Sequence, residues 1–354
     1  MKVKKWLSVL LIVVLAMAMV ACNNDPAPST SVSAGAPTAS GGTSPGAGGN
    51  ESKTIYWVTK VMGSQYWSVV EDGVKAACEA NGYQMVSTGL QSEADVEKQM
   101  QLLSDALTAK PAAILIAPCD SQAMTKPIQD AKKSGIPIIL VDTKIKADDG
   151  FDACIATDNV EAGRQCAKAM LKYLEAAKVD KAKVGILVAS TGSQTVTDRL
   201  DGFKEYWDKN AKAGFEVLWN ELKINDADVT KALTDAKDLM TAHSDLNALW
   251  GVNNSGSIGA STALKEVGRS DVTIVGMDFS NDTPQMLSDG FMKAAVAQRQ
   301  FQMGYQGVEA ALKVIKGETV EKYVDTGVIV IEKDTLTSKE AEEVTKYYGA
   351  DKKK

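Results

Sequence analysis

The sequence predicts an α/β protein of two similarly wound lobes, each a parallel sheet covered by helices. Three observations carry this reading. From Thr54 onward, short runs rich in Val and Ile alternate with longer stretches whose apolar residues recur at the helical period. Runs such as "AAILIAP" and "IPIILVD" are apolar throughout, as expected of strands buried on both faces. The pattern also restarts: "KTIYWVTK…YWSVVEDGVKAACEANGYQMVS" is echoed by "AKVGILVAS…RLDGFKEYWDKNAKAGFEVLW", each a strand, a turn, a helix containing "DG", then Gly-aromatic and another strand.

The elements follow in order. "TIYWVTK" is the first strand, and "SVVEDGVKAACEANG" is a helix stopped by Gly82 before "YQMVST". "DVEKQMQLLSDALTAK" is the next helix, followed by "AAILIAP", a helix ending in "KKSGIP", and then "IPIILVD" and "ACIATD". The later strands are "KVGILVAS", "FEVLWNE", "NALWGVN", "VTIVGM", "KAAVAQ" and "GVIVIE", with a helix stop again in "KEVGRS". About eleven strands exceed one regular sheet and suit two. "SKEAEEVTKYYGADKKK" closes the chain as an amphipathic helix with a basic tail at 346–354.

The N-terminus is a different kind of sequence. Lys2, Lys4 and Lys5 precede an apolar run over 7–21 that is short for a membrane span and ends in small residues, which reads as an export signal over 1–22. Met19-Val20-Ala21-Cys22 resembles the lipobox of bacterial lipoproteins, and that resemblance makes Cys22 the lipidated first residue of the mature chain. Residues 23–53 are Ser, Thr, Gly, Ala and Pro with almost no large apolar residue, so they cannot bury enough surface to fold. As a flexible tether they would span roughly 30 Å. The chain is therefore expected on the extracytoplasmic face of a membrane, at a cell surface or in a periplasm.

Composition removes several function classes. A net charge of −6 and a single histidine, His243, argue against nucleic-acid binding. No P-loop or GxGxxG motif is present, no GxSxG falls in the body from Thr54 onward, and His243 sits before a strand, away from the strand carboxyl ends, so no enzyme is expected. Cys78, Cys119, Cys154 and Cys166 lack metal-ligand spacing and read as buried free thiols, one disulfide among them being the alternative in an exported protein; neither metal nor cofactor is expected.

Open α/β sheets bind ligands beyond the carboxyl ends of their strands. There the chain places Lys60, Asp142, Asp158-Asn159, Asn253-Asn254, Asp278 and Gln298, with Arg199 after "VGILVAS" and the adjacent rings Tyr66 and Trp67 after the first strand. Asp158 and Asn254 read mainly as helix caps. Carboxylates accept from neighbouring hydroxyls, and Lys, Arg and amide N–H groups donate. A flat aromatic platform completes the lining a sugar needs.

With these residues in view, the body from Thr54 to about Asp334 resembles the ribose/galactose-type, or type I, periplasmic sugar-binding proteins of ABC importers. "PAAILIAPCDSQAM", "SGIPIILVDT", "IATDNVEAGR", "DRLDGF", "TAHSDLNALWGVNN", "VTIVGMD" and "AVAQ" match family motifs in order. The resemblance implies a hinge of three strands. It divides the chain into an N-terminal lobe of 54–157 plus 299–325 and a C-terminal lobe of 158–298 plus 326–345. It assigns hydroxyl contacts to Asp142, Arg199, Asn253, Asp278 and Gln298, and the ring-holding positions to Tyr66 and Trp67. Lys60, Ser64 and Thr143 fall at further ligand positions and depart from the ribose pattern: Lys60 matches arabinose receptors, and Thr143 replaces an arginine. The aromatic expected from the second lobe near residues 225–227 has no counterpart, leaving Trp219 or Trp250 to take its place. The implied function is a monomeric, lipid-anchored receptor delivering a monosaccharide to a permease. The alternative is a sensory receptor for a sugar or furanosyl signal.

Overall fold

The computed structural model describes residues 52–348. The export signal, Cys22, nearly all of the tether and the end of the basic tail lie outside the described residues.

In the first lobe β1 (Thr54–Thr59), β2 (Gln84–Gly89), β3 (Ala113–Ile116), β4 (Ile138–Val141) and β5 (Ala153–Ala156) alternate with α1 (Gln65–Ala80), α2 (Val96–Thr108) and α3 (Thr125–Lys132). The chain then crosses into the second lobe. There α4 (Asn159–Ala176), α5 (Gln194–Asn210), α6 (Val229–Ala242), α7 (Asn254–Val267) and α8 (Thr283–Asp289) surround β6 (Ala182–Val188), β7 (Phe215–Val217), β8 (Lys223–Ile224), β9 (Ala248–Gly251), β10 (Thr273–Met277) and β11 (Ala294–Gln298). It returns through α9 (Gln300–Ile315) and β12 (Tyr323–Asp325), and crosses once more to β13 (Val328–Glu332) and α10 (Lys339–Thr345).

The first sheet has the order β12-β5-β4-β3-β1-β2 with every pair parallel. The second runs β13-β11-β10-β9-β6-β7, with the short β8 also pairing with β6. It is parallel except at β13, which lies antiparallel to β11 at the edge. The central strands β3 and β4, "AILI" and "IILV", are buried at every residue, because helices cover both faces of their sheet. The apolar clusters are paired in the same way, one on each side of each sheet.

The repeated "DG" has a packing reason. A Cβ on Gly202 in α5 would stand 1.9 Å from the Val160 carbonyl oxygen in α4, and one on Gly163 in α4 would stand 2.0 Å from that of Arg199. The first lobe repeats the arrangement with Gly73 in α1 and Gly304 in α9, at 2.1 and 2.0 Å from Phe301 and Val70 carbonyl oxygens. In each lobe the helix that follows a crossing thus lies backbone to backbone against that lobe's first sheet-turn helix.

The crossings are tied to one another. Asp325 Oδ1 accepts from the backbone N–H groups of Asp158 and Gly327, both at 2.8 Å. Arg299 Nη1 donates to the Thr326 carbonyl at 3.0 Å. Cys78, Cys119, Cys154 and Cys166 are free and buried, and burial pushes the Cys154 and Cys166 thiols up to about 12. Among the described residues no helix is long and apolar enough to cross a membrane, and no cluster of His, Cys, Asp and Glu could hold a metal.

Candidate functional site

The carboxyl ends of both sheets open onto one cavity of about 370 Å³ between the lobes, within the roughly 300–1,000 Å³ typical of small-molecule sites. Of the ligand positions expected from the sequence, all but Thr143 line it: Lys60, Ser64, Tyr66, Trp67, Asp142, Arg199, Asn253, Asp278 and Gln298.

Two aspartates anchor it from opposite lobes. Asp142 follows β4 and Asp278 follows β10, and both have left-handed backbones, φ 69° and 72°. Each N–H donates to the next strand, Asp142 to the Ile155 carbonyl at 2.8 Å and Asp278 to that of Val296 at 2.9 Å. Aspartate is among the few non-glycine residues that adopt this conformation readily. The turn aims a carboxylate into the cleft at the same point of each lobe.

Asp142 is held firmly. Tyr66 Oη donates to Oδ2 at 2.5 Å, Thr143 Oγ1 donates to Oδ1 at 2.6 Å, and Lys60 Nζ lies 3.8 Å from Oδ1. Thr143 is fully buried and away from the cavity wall, so it bears on the site through Asp142 rather than by contact. Burial and the neighbouring Asp142 carboxylate hold the Tyr66 phenol well above its ordinary value, so it stays a donor. Its ring meets Trp67 edge to face at 4.9 Å and 78°, so the two rings present a face and an edge.

Asp278 accepts from Gln298 Nε2 at 2.6 Å, while Gln298 Oε1 is buried with no partner among the described residues. Burial raises the Asp278 carboxyl above its usual range, with Arg199 and the Gln298 amide opposing the rise. Arg199 is braced from behind: Nε donates to Asn159 Oδ1 at 2.8 Å and Nη1 to the Val252 carbonyl at 2.9 Å. Asn159, one residue inside α4, thereby links the first crossing to the site.

Capping differs in part from the sequence reading. Asp158 caps α4 as expected, accepting from Glu161 N–H at 2.9 Å. For α7 the cap is Asn253, which accepts from Gly256 N–H at 3.3 Å, and not Asn254, the first residue of the helix proper. Trp219 and Trp250 do not supply a second-lobe platform. Trp250 is fully buried and stacked on Phe203 at 4.1 Å, and Trp219 meets the same Phe203 ring edge to face at 6.1 Å. His243 ends α6 and meets Glu221 at 2.9 Å, outside the cavity.

The lobes also touch across the cleft. Lys60 Nζ donates to Ser193 Oγ at 3.2 Å, Ser121 N–H to the Gly192 carbonyl at 3.0 Å, and Gln194 N–H to Ser121 Oγ at 2.9 Å. Lys144 pairs with Asp198 at 3.3 Å, and at the opposite rim Asn281 N–H donates to Gln65 Oε1 at 2.8 Å. Gln65 and Glu93 also line the cavity and escaped the sequence reading, Gln65 behind its aromatic neighbours and Glu93 in the loop after β2.

Two lobes with mirrored aspartates over a shared polar cavity define a cleft-binding receptor. The chain belongs to the periplasmic binding protein family, of the type I sugar-binding kind, matching its domain over residues 55–319. It is 31% identical over 279 residues to the ribose import binding protein of Salmonella typhimurium, covering 78% of this chain and 90% of that one. It is 27% identical over 296 residues to the D-ribose/D-allose-binding protein of Pseudomonas aeruginosa, covering 81% and 90%. Among solved structures, an ABC transporter solute-binding protein from Agrobacterium vitis with bound D-fucose superposes with a TM-score of 0.77 at 29% identity, covering 82% of this chain and 99% of that one. A carbohydrate transporter solute-binding protein from Agrobacterium radiobacter with D-arabinose gives 0.77 at 31% identity, covering 81% and 97%. The chain is a sugar-binding ABC transporter solute-binding protein, not an enzyme.

Proposed function

We propose that this receptor captures one neutral monosaccharide, an aldopentose or aldohexose, between its lobes and presents it to the permease of an ABC importer. The observation that carries the reading is the mirrored pair Asp142 and Asp278, one from each lobe, on one cavity with Lys60 and Arg199 beside them. Each carboxylate can accept from two adjacent hydroxyls, while Lys60, Arg199 and Asn253 donate. Tyr66 and Trp67 supply the apolar face and edge for the ring. Ligands named for the relatives, ribose, allose, fucose and arabinose, have this size and chemistry.

The lobes 54–157 with 299–325 and 158–298 with 326–345 act as rigid bodies about the three crossings. A sugar touching both aspartates stabilises the closed arrangement, and the permease reads that shape. A micromolar ligand needs about 8 kcal/mol, within reach of several charge-assisted hydrogen bonds and a stacked ring. Cys22 ties the mature chain to the membrane by a lipid; recovery of the protein free of membrane after cell fractionation would remove the anchor. For the ligand, calorimetry against a panel of pentoses, hexoses and polyols is expected to find a binder at micromolar affinity. Silence across that panel overturns the sugar assignment.

A further inference from the structure

We infer that Glu93 is a ligand-contacting residue that sets specificity at the Lys60 end of the cavity, accepting from a sugar hydroxyl and excluding ligands that carry a carboxylate there. The inference rests on the sugar-receptor reading and deepens it. Glu93 lines the cavity and is 9% exposed, yet its carboxylate makes no hydrogen bond or ion pair among the described residues. Every other charged group on that wall has a protein partner. Asp142 is met by Tyr66, Thr143 and Lys60, Asp278 by Gln298, and Arg199 by Asn159 and the Val252 carbonyl.

A buried carboxylate without a partner is costly, and the cost falls when a bound donor meets it. The cavity's charges point the same way. Asp142, Asp278 and Glu93 face Lys60 and Arg199, leaving one acidic group over. An anionic ligand would add to that excess in a desolvated site, whereas a hydroxyl donor relieves it. Burial holds the Glu93 carboxyl above its ordinary range, and Lys60, its foremost electrostatic neighbour, opposes the rise. The residue lies in the loop between β2 and α2, so it can vary without disturbing either sheet.

The test uses the full chain with D-ribose, D-arabinose, D-allose and D-fucose as neutral probes and D-galacturonate and D-glucuronate as acids. Wild type is expected to bind at least one neutral sugar and neither acid. Glu93→Ala is expected to weaken the neutral sugar by roughly tenfold to a hundredfold, the range for losing a charged hydrogen-bond partner. Glu93→Gln, which keeps shape and removes the charge, is expected to weaken it less and to bind an acid that wild type rejects. Both variants should melt within a few degrees of wild type in the absence of sugar. Unchanged affinity in both variants overturns the inference while the receptor reading stands. So does unchanged rejection of the acids by Glu93→Gln, or a loss of affinity that only follows a loss of folding. Wild type silent to every neutral sugar takes down both.

Discussion

Tyr66 shows how one side chain serves two layers of the site. Its ring lines the cavity while its hydroxyl, 2.5 Å from Asp142 Oδ2, fixes that carboxylate's rotamer. Removing the hydroxyl leaves an acceptor less restrained but still supported by Thr143 and Lys60. Tyr66→Phe is therefore expected to weaken sugar binding by about tenfold, near 1.4 kcal/mol, with the melting temperature little changed. Calorimetry and thermal melts separate the two effects. Glu93 adds a pH dependence whose sign follows from its raised pKa. A carboxyl that binds its proton more tightly when folded contributes stability below the ordinary carboxylate range. That contribution is lost as pH rises through the raised value. Glu93→Gln cannot ionise, so urea midpoints measured from pH 4 to 7 are expected to show the variant gaining on wild type as pH rises. A constant gap would mean that Glu93 ionises as easily in the fold as in the unfolded chain.

Among the elements, the helix pairs carry the more exacting constraint. In α4 and α5 the glycines allow carbonyl oxygens to sit where side chains would be, and nothing flexible can yield, because the obstructing atoms are backbone. Gly202→Ala must separate the pair that carries Arg199 and Asn159, so it is expected to destabilise the protein by about 1–3 kcal/mol, measured by chemical denaturation, and to weaken sugar binding as Arg199 shifts. Gly202→Ala at wild-type stability would show that the helices move apart freely. The "DG" echo was visible in the sequence, but its meaning was not, since contact between α4 and α5 depends on where the chain crosses between lobes. Most strands were legible because β3, β4, β6, β9 and β10 are apolar and flanked by helices. The two-residue β8 and the three-residue β12 were not, for "KI" and "YVD" have no apolar run and owe their pairing to neighbours. The strand β13 was legible as "GVIVIE", but its antiparallel direction was not, since direction depends on which lobe receives the strand. The strand-end rule found Asp142, Asp278 and Gln298 because each closes a strand or follows it directly. It missed Glu93, four positions beyond the end of β2 in a loop that folds back to the cavity.

For the whole molecule, the question is how far the protein itself favours closure before the sugar contributes. Ser121, fully buried within the first lobe's β3–α3 loop, donates its N–H to Gly192 and accepts at Oγ from Gln194 N–H, both in the second lobe. Lys144 and Asp198 reinforce the same side with a partly exposed ion pair of lesser worth. If only the closed arrangement holds sugar firmly, apparent affinity scales with the fraction of receptor able to close. Ser121→Ala removes one acceptor from that contact without touching the cavity wall, on which Ser121 does not lie. The lost hydrogen bond, about 1 kcal/mol, is expected to cost roughly fivefold in sugar affinity. The variant's sugar-bound radius of gyration should match wild type by small-angle scattering, while its ligand-free radius should be larger or equal. A drop in affinity with that pattern locates the energy in closure rather than in sugar contacts. Full wild-type affinity in Ser121→Ala would mean that the loop contact forms as a consequence of closure and contributes nothing to its equilibrium, leaving the sugar's bonds to both aspartates to supply all of it.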